Sequence, residues 1–184
     1  MPEFHSERIF EALEFAAWKH AGQKRKGTGN IPYINHPIRV TSLLVHHVKN
    51  ISEEVIVASL LHDTIEDTKT SYDEIEKQFG KKVADIVLEV TDDMTLSYSK
   101  RKQVQIDKAG RLSQEARLIK IADKASNILD ILSTKLLWPR SRKIAYIHWA
   151  EKVIAACGNV NSSLEGKFKE VVQRAKEELK MTDV

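Results

Sequence analysis

The sequence predicts an all-α fold: a single-domain helical bundle of about eight helices spanning residues 1–184. Three observations point there. Apolar residues recur at three- and four-residue spacing along nearly the whole chain. Only 7 glycines and 4 prolines occur in 184 residues, few for a β-rich fold that needs many turns. The apolar runs that could pass for strands sit inside segments too long for one. A hydrophobic fraction of 42% and a charged fraction of 30% are ordinary globular usage, which excludes wholesale disorder.

The elements follow in order. Residues 7–21 place Ile9, Phe10, Leu13, Ala16, Ala17 and His20 at helical spacing. A basic loop from Gly22 to Pro32, carrying Lys24, Arg25 and Lys26, breaks the pattern with glycines and a proline. The next helix starts near Pro37, with Asn35 or His36 ahead of it, and runs to about Val48. Ser52 with two glutamates after it opens a helix to about Asp67, whose middle, Val55 to Leu61, is apolar almost all round and therefore central. Thr70 or Ser71 caps a short helix ending at Gly80, and another spans about 81–91. A polar stretch, Thr91 to Ser97, precedes a basic helix near 98–109. Helices over 113–133, 140–157 and 162–179 complete the chain, with Gly158 and Asn159 as the turn between the last two.

Net charge is +3 and the basic residues are spread widely, so nothing demands a nucleic-acid partner. The single cysteine, Cys157, cannot form an internal disulfide. With no signal-peptide pattern and no apolar run of about 18 residues, the expectation is a cytoplasmic protein without a membrane partner. Oligomeric state is not legible.

Three stretches carry chemistry. In Leu60 to Thr68, ionisable residues follow directly on an apolar helix, and Asp63, Glu66 and Asp67 share a helix face at i, i+3 and i+4, with His62 at its edge. Like charges so placed repel unless a cation joins them; the competing reading is an acidic, solvated helix end. In Leu118 to Leu129, Asp123 and Asn127 fall on one face of a buried-looking helix and Asp130 continues it. A lone carboxylate there needs a metal, or a lysine partner at the surface such as Lys120 or Lys124. Third, His36 stands just ahead of Pro37 at a helix start, where a cap or a hydrogen-bonded surface residue is the plainer role. Taken together, His36, His62, Asp63 and Asp123 form a nitrogen–oxygen ligand set without thiolates, suited to Mn²⁺, Fe²⁺ or Mg²⁺ rather than structural zinc.

His36, then His62-Asp63, then Asp123 resembles the H…HD…D signature of the HD-domain metal-dependent phosphohydrolases. Gly22 to Lys26, Pro32 to Pro37, Leu60 to Thr68, Phe79-Gly80, Val90-Thr91 and Ile121 to Asn127 resemble, further, the hydrolase domain of the Rel/Spo proteins, which degrade the alarmone (p)ppGpp. The short length, Thr91-Asp92-Asp93 and the run through Trp138, Arg142, Tyr146 and Trp149-Ala150 look most like the stand-alone small alarmone hydrolases.

The resemblance implies an HD-type bundle and a Mn²⁺-dependent 3′-pyrophosphohydrolase acting on a guanine nucleotide. His36, His62, Asp63 and Asp123 would hold the metal. Glu66 and Asp67 would be the catalytic acidic pair. Arg25, Lys26 and Asn127 would contact the nucleotide, with Trp138, Arg142 and Tyr146 as a nucleoside wall. Two positions depart from the family pattern: Leu129 stands where an arginine is common, and Ala125-Ser126 where a bulky residue is usual before the asparagine. These leave room for another phosphorylated nucleotide, such as ppApp or the 2′-phosphate of NADPH. A non-catalytic nucleotide-binding module is the remaining alternative.

Overall fold

The computed structural model describes residues 6–27, 29–133 and 136–181. Among them ten helical segments follow one another: α1 (Ser6–Lys19), α2 (Asn35–His47), α3 (Glu53–Leu61), α4 (Thr64–Asp67), α5 (Tyr72–Phe79), α6 (Lys81–Val90), α7 (Tyr98–Ala109), α8 (Gln114–Leu132), α9 (Arg140–Cys157) and α10 (Ser162–Glu178). The described residues contain no strand, only an isolated antiparallel bridge between Lys24 and Pro32. No described helix is long and apolar enough to cross a membrane.

The apolar run Val55 to Leu61 dictates the centre of the molecule. All seven residues are buried, so α3 beyond its first two residues has no solvent face, and α1, α2, α6 and α8 pack around it. The other long buried element is α8, which packs on α2, α6, α9 and α10. Side chains such as Leu61, Ile119, Ile121 and Ile128 are fully enclosed between these layers, each contributing about 1.5–3 kcal/mol by leaving water.

Local chemistry sets the helix ends. Ser71 caps α5 and Ser113 caps α8, each hydroxyl accepting from a backbone N–H three residues on. Gly80, at φ 84°, makes the tight junction between α5 and α6 that a side chain would strain. Trp138 lies just before α9, whose cap is Pro139.

Two departures from the expected boundaries bear on function. The helix expected to continue from Ser52 to about Asp67 is divided at His62-Asp63, which adds a helical segment. Asp63 sits at φ −99°, ψ −2°, and His62 Nδ1 donates to the Ser59 carbonyl at 2.8 Å. In an unbroken helix that carbonyl would serve the Asp63 N–H. A turn then resumes, with the Asp67 N–H on the Asp63 carbonyl at 2.9 Å. Second, α2 begins at Asn35, so His36 lies inside its first turn, its N–H on the Tyr33 carbonyl at 2.9 Å.

The basic loop is pinned across its base by Arg25 N–H to Ile31 O (2.9 Å) and Tyr33 N–H to Gln23 O (3.0 Å). Thr28 of that loop lies outside the described residues.

Candidate active site

The loop after α1, the starts of α2 and α4, and the middle of α8 converge on one cleft of about 560 Å³, whose far wall comes from α7 and α9. At its floor the Nε2 atoms of two buried imidazoles face two carboxylates. His36 Nε2 lies 3.2 Å from Asp123 Oδ1 and 3.5 Å from Asp63 Oδ2. His62 Nε2 lies 3.2 Å from Asp63 Oδ2 but makes no aligned hydrogen bond, so it is buried without a hydrogen-bond partner. Ligand atoms of His36, His62 and Asp123 fall within 4.8 Å of one another.

The tautomer of His62 follows from its surroundings. Its Nδ1 contacts a carbonyl, which only accepts, so Nδ1 carries the proton and the Nε2 lone pair of a neutral ring faces the cluster. Ser126 Oγ sits 3.1 Å from His36 Nδ1 and steadies that ring. The small residue that departs from the family pattern is thus the partner of a candidate ligand. Leu129, the other departure, packs against the core.

The electrostatics make the cluster hungry for positive charge. Burial lowers the pKa of His36. Burial also pushes His62 down, but Asp63 and Asp123 outweigh it and raise its pKa to about 9. Asp63 stays ionised despite burial because of His62 and His36, and Asp123 because of Lys124 and His36. A divalent cation would answer the same carboxylates and take the lone pair that the proton otherwise occupies. His36, His62 and Asp123 bring ligand atoms close enough to share such an ion, and Asp63, outside that group of three, lies against both imidazoles.

Glu66 and Asp67 leave α4 toward different walls. Glu66 Oε2 accepts the Asp92 backbone N–H at 2.8 Å. Burial, followed by the charges of Asp92, Asp63 and Asp67, raises the Glu66 carboxyl to about 7 against the pull of that N–H. Asp67 Oδ2 lies 2.7 Å from the Tyr33 hydroxyl, which is also 2.8 Å from Asp63 Oδ2. Tyr33 was not singled out from sequence, although it stands three residues before His36 in the same motif.

The expected nucleotide contacts gather around the cleft. Arg25 is largely buried and stacks over Tyr33 at 5.3 Å; Lys26 lines the rim and is exposed. Asn127 bridges the two halves of the site, accepting from Arg25 Nη2 at 2.7 Å and donating to Asp123 Oδ1 at 2.6 Å. Trp138, though ahead of α9 rather than on it, meets the other two expected wall residues: Arg142 stacks on its ring at 4.1 Å and Tyr146 lies 5.9 Å away.

Two lysines complete the wall and were missed as site residues. Lys102 and Lys124 bring their ammonium groups 4.5 and 4.7 Å from the Trp149 ring. Lys124 also donates to Asp123 Oδ2 at 2.8 Å. The lysine partner weighed for Asp123 at the surface therefore exists, but buried and inside the cleft. Its signal was adjacency to Asp123; Lys102 carried none beyond its place on the basic helix near 98–109.

The HD domain family matches residues 12–145. A guanosine-3′,5′-bis(diphosphate) 3′-pyrophosphohydrolase MESH1 from Xenopus tropicalis is 46% identical over 87% of this chain and 90% of its own length. The Homo sapiens MESH1 is 41% identical over 91% and 94%. The bifunctional (p)ppGpp synthase/hydrolase SpoT of Escherichia coli aligns with 70% of this chain at 34% identity, but over only 18% of its own length. A solved structure, described as a metazoan ortholog of SpoT that hydrolyzes ppGpp and plays a role in starvation responses, overlays with a TM-score of 0.88. It is 39% identical and covers 94% of this chain and 97% of that one. Sharing both its helical architecture and most of its length with these proteins, the chain belongs to the HD-domain family and, within it, to the MESH1-type (p)ppGpp hydrolases of the Rel/Spo group.

Proposed function

We propose that the protein removes the 3′-pyrophosphate of guanosine alarmones, converting (p)ppGpp and water to GDP or GTP and pyrophosphate, with Mn²⁺ as the resident ion. The observation that carries this reading is the orphaned imidazole among carboxylates at the floor of a cationic cleft, beside a glutamate poised near neutrality. The activity is that of the MESH1 relatives, with which the chain shares nearly its full length.

His36, His62, Asp63 and Asp123 would hold the ion in this reading. When bound, it supplies Lewis-acid polarisation of a phosphoryl oxygen and a water of lowered pKa. The water oxygen bonds to the phosphorus next to the ribose, the bond from that phosphorus to the ribose 3′ oxygen breaks, and the 3′ oxygen takes up a proton. Glu66, titrating near the working pH, removes the proton from the attacking water. Asp67, oriented by Tyr33, holds that water on line. Arg25, Lys26 and Arg142 offset the substrate's negative charge away from the ion, Asn127 orients Arg25 as well as the ligand, and Trp138 and Tyr146 border the nucleoside. The work is placed in the cytoplasm, where the buried thiol of Cys157 stays reduced, and needs neither nucleic acid nor a membrane.

The test is to incubate Mn²⁺-loaded protein with ppGpp, pppGpp, ppApp and NADPH and identify the products. GDP and GTP with pyrophosphate from the guanosine substrates are expected. No turnover of either, or faster release of phosphate from NADPH, would displace this reading.

A further inference from the structure

The carboxylate of Asp130 lines the cleft and lies two helical turns beyond Asp123 on the same face of α8, with Asn127 between them. A bare carboxylate beside an anionic ligand would repel it. Asp130 is not bare. Its Oδ2 accepts from Arg25 Nε at 2.9 Å and from Arg25 Nη2 at 2.7 Å. Its Oδ1 accepts from Arg39 Nη1, one turn along α2 from His36. The two oxygens are thus divided between an inner and an outer arginine, and the trio carries a net positive charge. Side-chain exposure rises outward, from 17% at Arg25 to 44% at Arg39.

We infer that Asp130 is a positioning residue for nucleotide binding. Turned by Arg39, it fixes the Arg25 guanidinium over Tyr33 and against Asn127, in the wall of the cleft. Arginine is a long, flexible side chain, and a contact formed by one already ordered loses less entropy on binding. The inference rests on the reading of Arg25 as a nucleotide contact. It assigns no chemistry to Asp130, which acts through Arg25. A role confined to bolting α2 onto α8 would affect melting temperature and not the binding of substrate.

The experiment measures kcat and KM for ppGpp, melting temperature and bound Mn²⁺ for Arg25→Ala, Asp130→Asn, Arg39→Ala, and the two double variants that combine Arg25→Ala with Asp130→Asn or with Arg39→Ala. Asp130→Asn is expected to raise KM about tenfold, the scale of a lost charge-assisted hydrogen bond, with metal content unchanged and kcat altered by less than about twofold. Arg25→Ala raises KM at least as much, and the double variant with Asp130→Asn is no worse than Arg25→Ala alone, because the two act as one unit. Arg39→Ala, a change at an exposed side chain, raises KM about threefold, and not at all when added to Arg25→Ala; it decides the matter should Asp130→Asn fail to fold. Multiplied effects in the double variants overturn the inference, as does an unchanged KM in both Asp130→Asn and Arg39→Ala while Arg25→Ala raises it. An unchanged KM in Arg25→Ala removes the underlying reading of that arginine, and the inference with it.

Discussion

Replacing Glu66 by glutamine should stabilise the metal-free protein while disabling it. The Glu66 carboxyl is raised from its ordinary 4.5 to about 7 by burial and by the neighbouring carboxylates. At about 1.36 kcal/mol per pH unit, that displacement disfavours the ionised form by about 3 kcal/mol, an upper bound for a partly solvated group. The sign follows from linkage. An acid whose pKa is raised in the folded state favours folding below the unfolded pKa, and that contribution is lost as pH rises through the folded pKa. Glutamine keeps the shape and the acceptor for the Asp92 N–H and never ionises. Glu66→Gln should therefore gain stability over the parent as pH rises from about 4.5 to 7 and hold the gain above that. A gain of about 2 kcal/mol corresponds to about 4–8 °C in melting temperature for a chain of this size. Thermal and urea unfolding of chelator-treated protein at pH 5, 6, 7 and 8.5 would measure it, alongside turnover of ppGpp, which should fall by on the order of 10²-fold. Equal or lower stability of the variant at pH 8.5 would refute the assignment of Glu66 as a strained, elevated carboxyl.

Two further outcomes are expected. His62→Ala and Asp123→Ala should each lose bound metal together with activity, since each removes a candidate ligand and leaves the neighbouring carboxylates uncompensated; elemental analysis showing full metal in both would sink the site. Tyr33→Phe removes a hydroxyl within 2.7 and 2.8 Å of Asp67 and Asp63; it should lower kcat about tenfold with little change in KM, as for loss of a hydrogen bond to a charged group. An unaltered kcat would show that Asp67 needs no orientation from the loop.

What a helix places on its own surface was decided by the sequence. Asp123, Asn127 and Asp130 share a face because side chains three, four and seven residues apart must, and α8 presents all three to one cleft. The apolar run at Val55 to Leu61 had no alternative to the interior. The candidate ligand set was legible because imidazoles and carboxylates around an apolar helix are costly without a cation. What meets across the chain was not legible. Periodicity gives a helix its faces but not its rotation or its neighbour, and those come from the packing of α2, α3 and α8 on one another. Only that packing sets His36 against Asp123, Arg25 and Arg39 on the two oxygens of Asp130, Ser126 behind His36, and the Asp92 backbone on Glu66. The break at His62-Asp63 belongs to the same class. Local propensity favoured a continuous helix, and the imidazole's bond to the Ser59 carbonyl accompanies a bend that turns a helix end into the floor of the cleft.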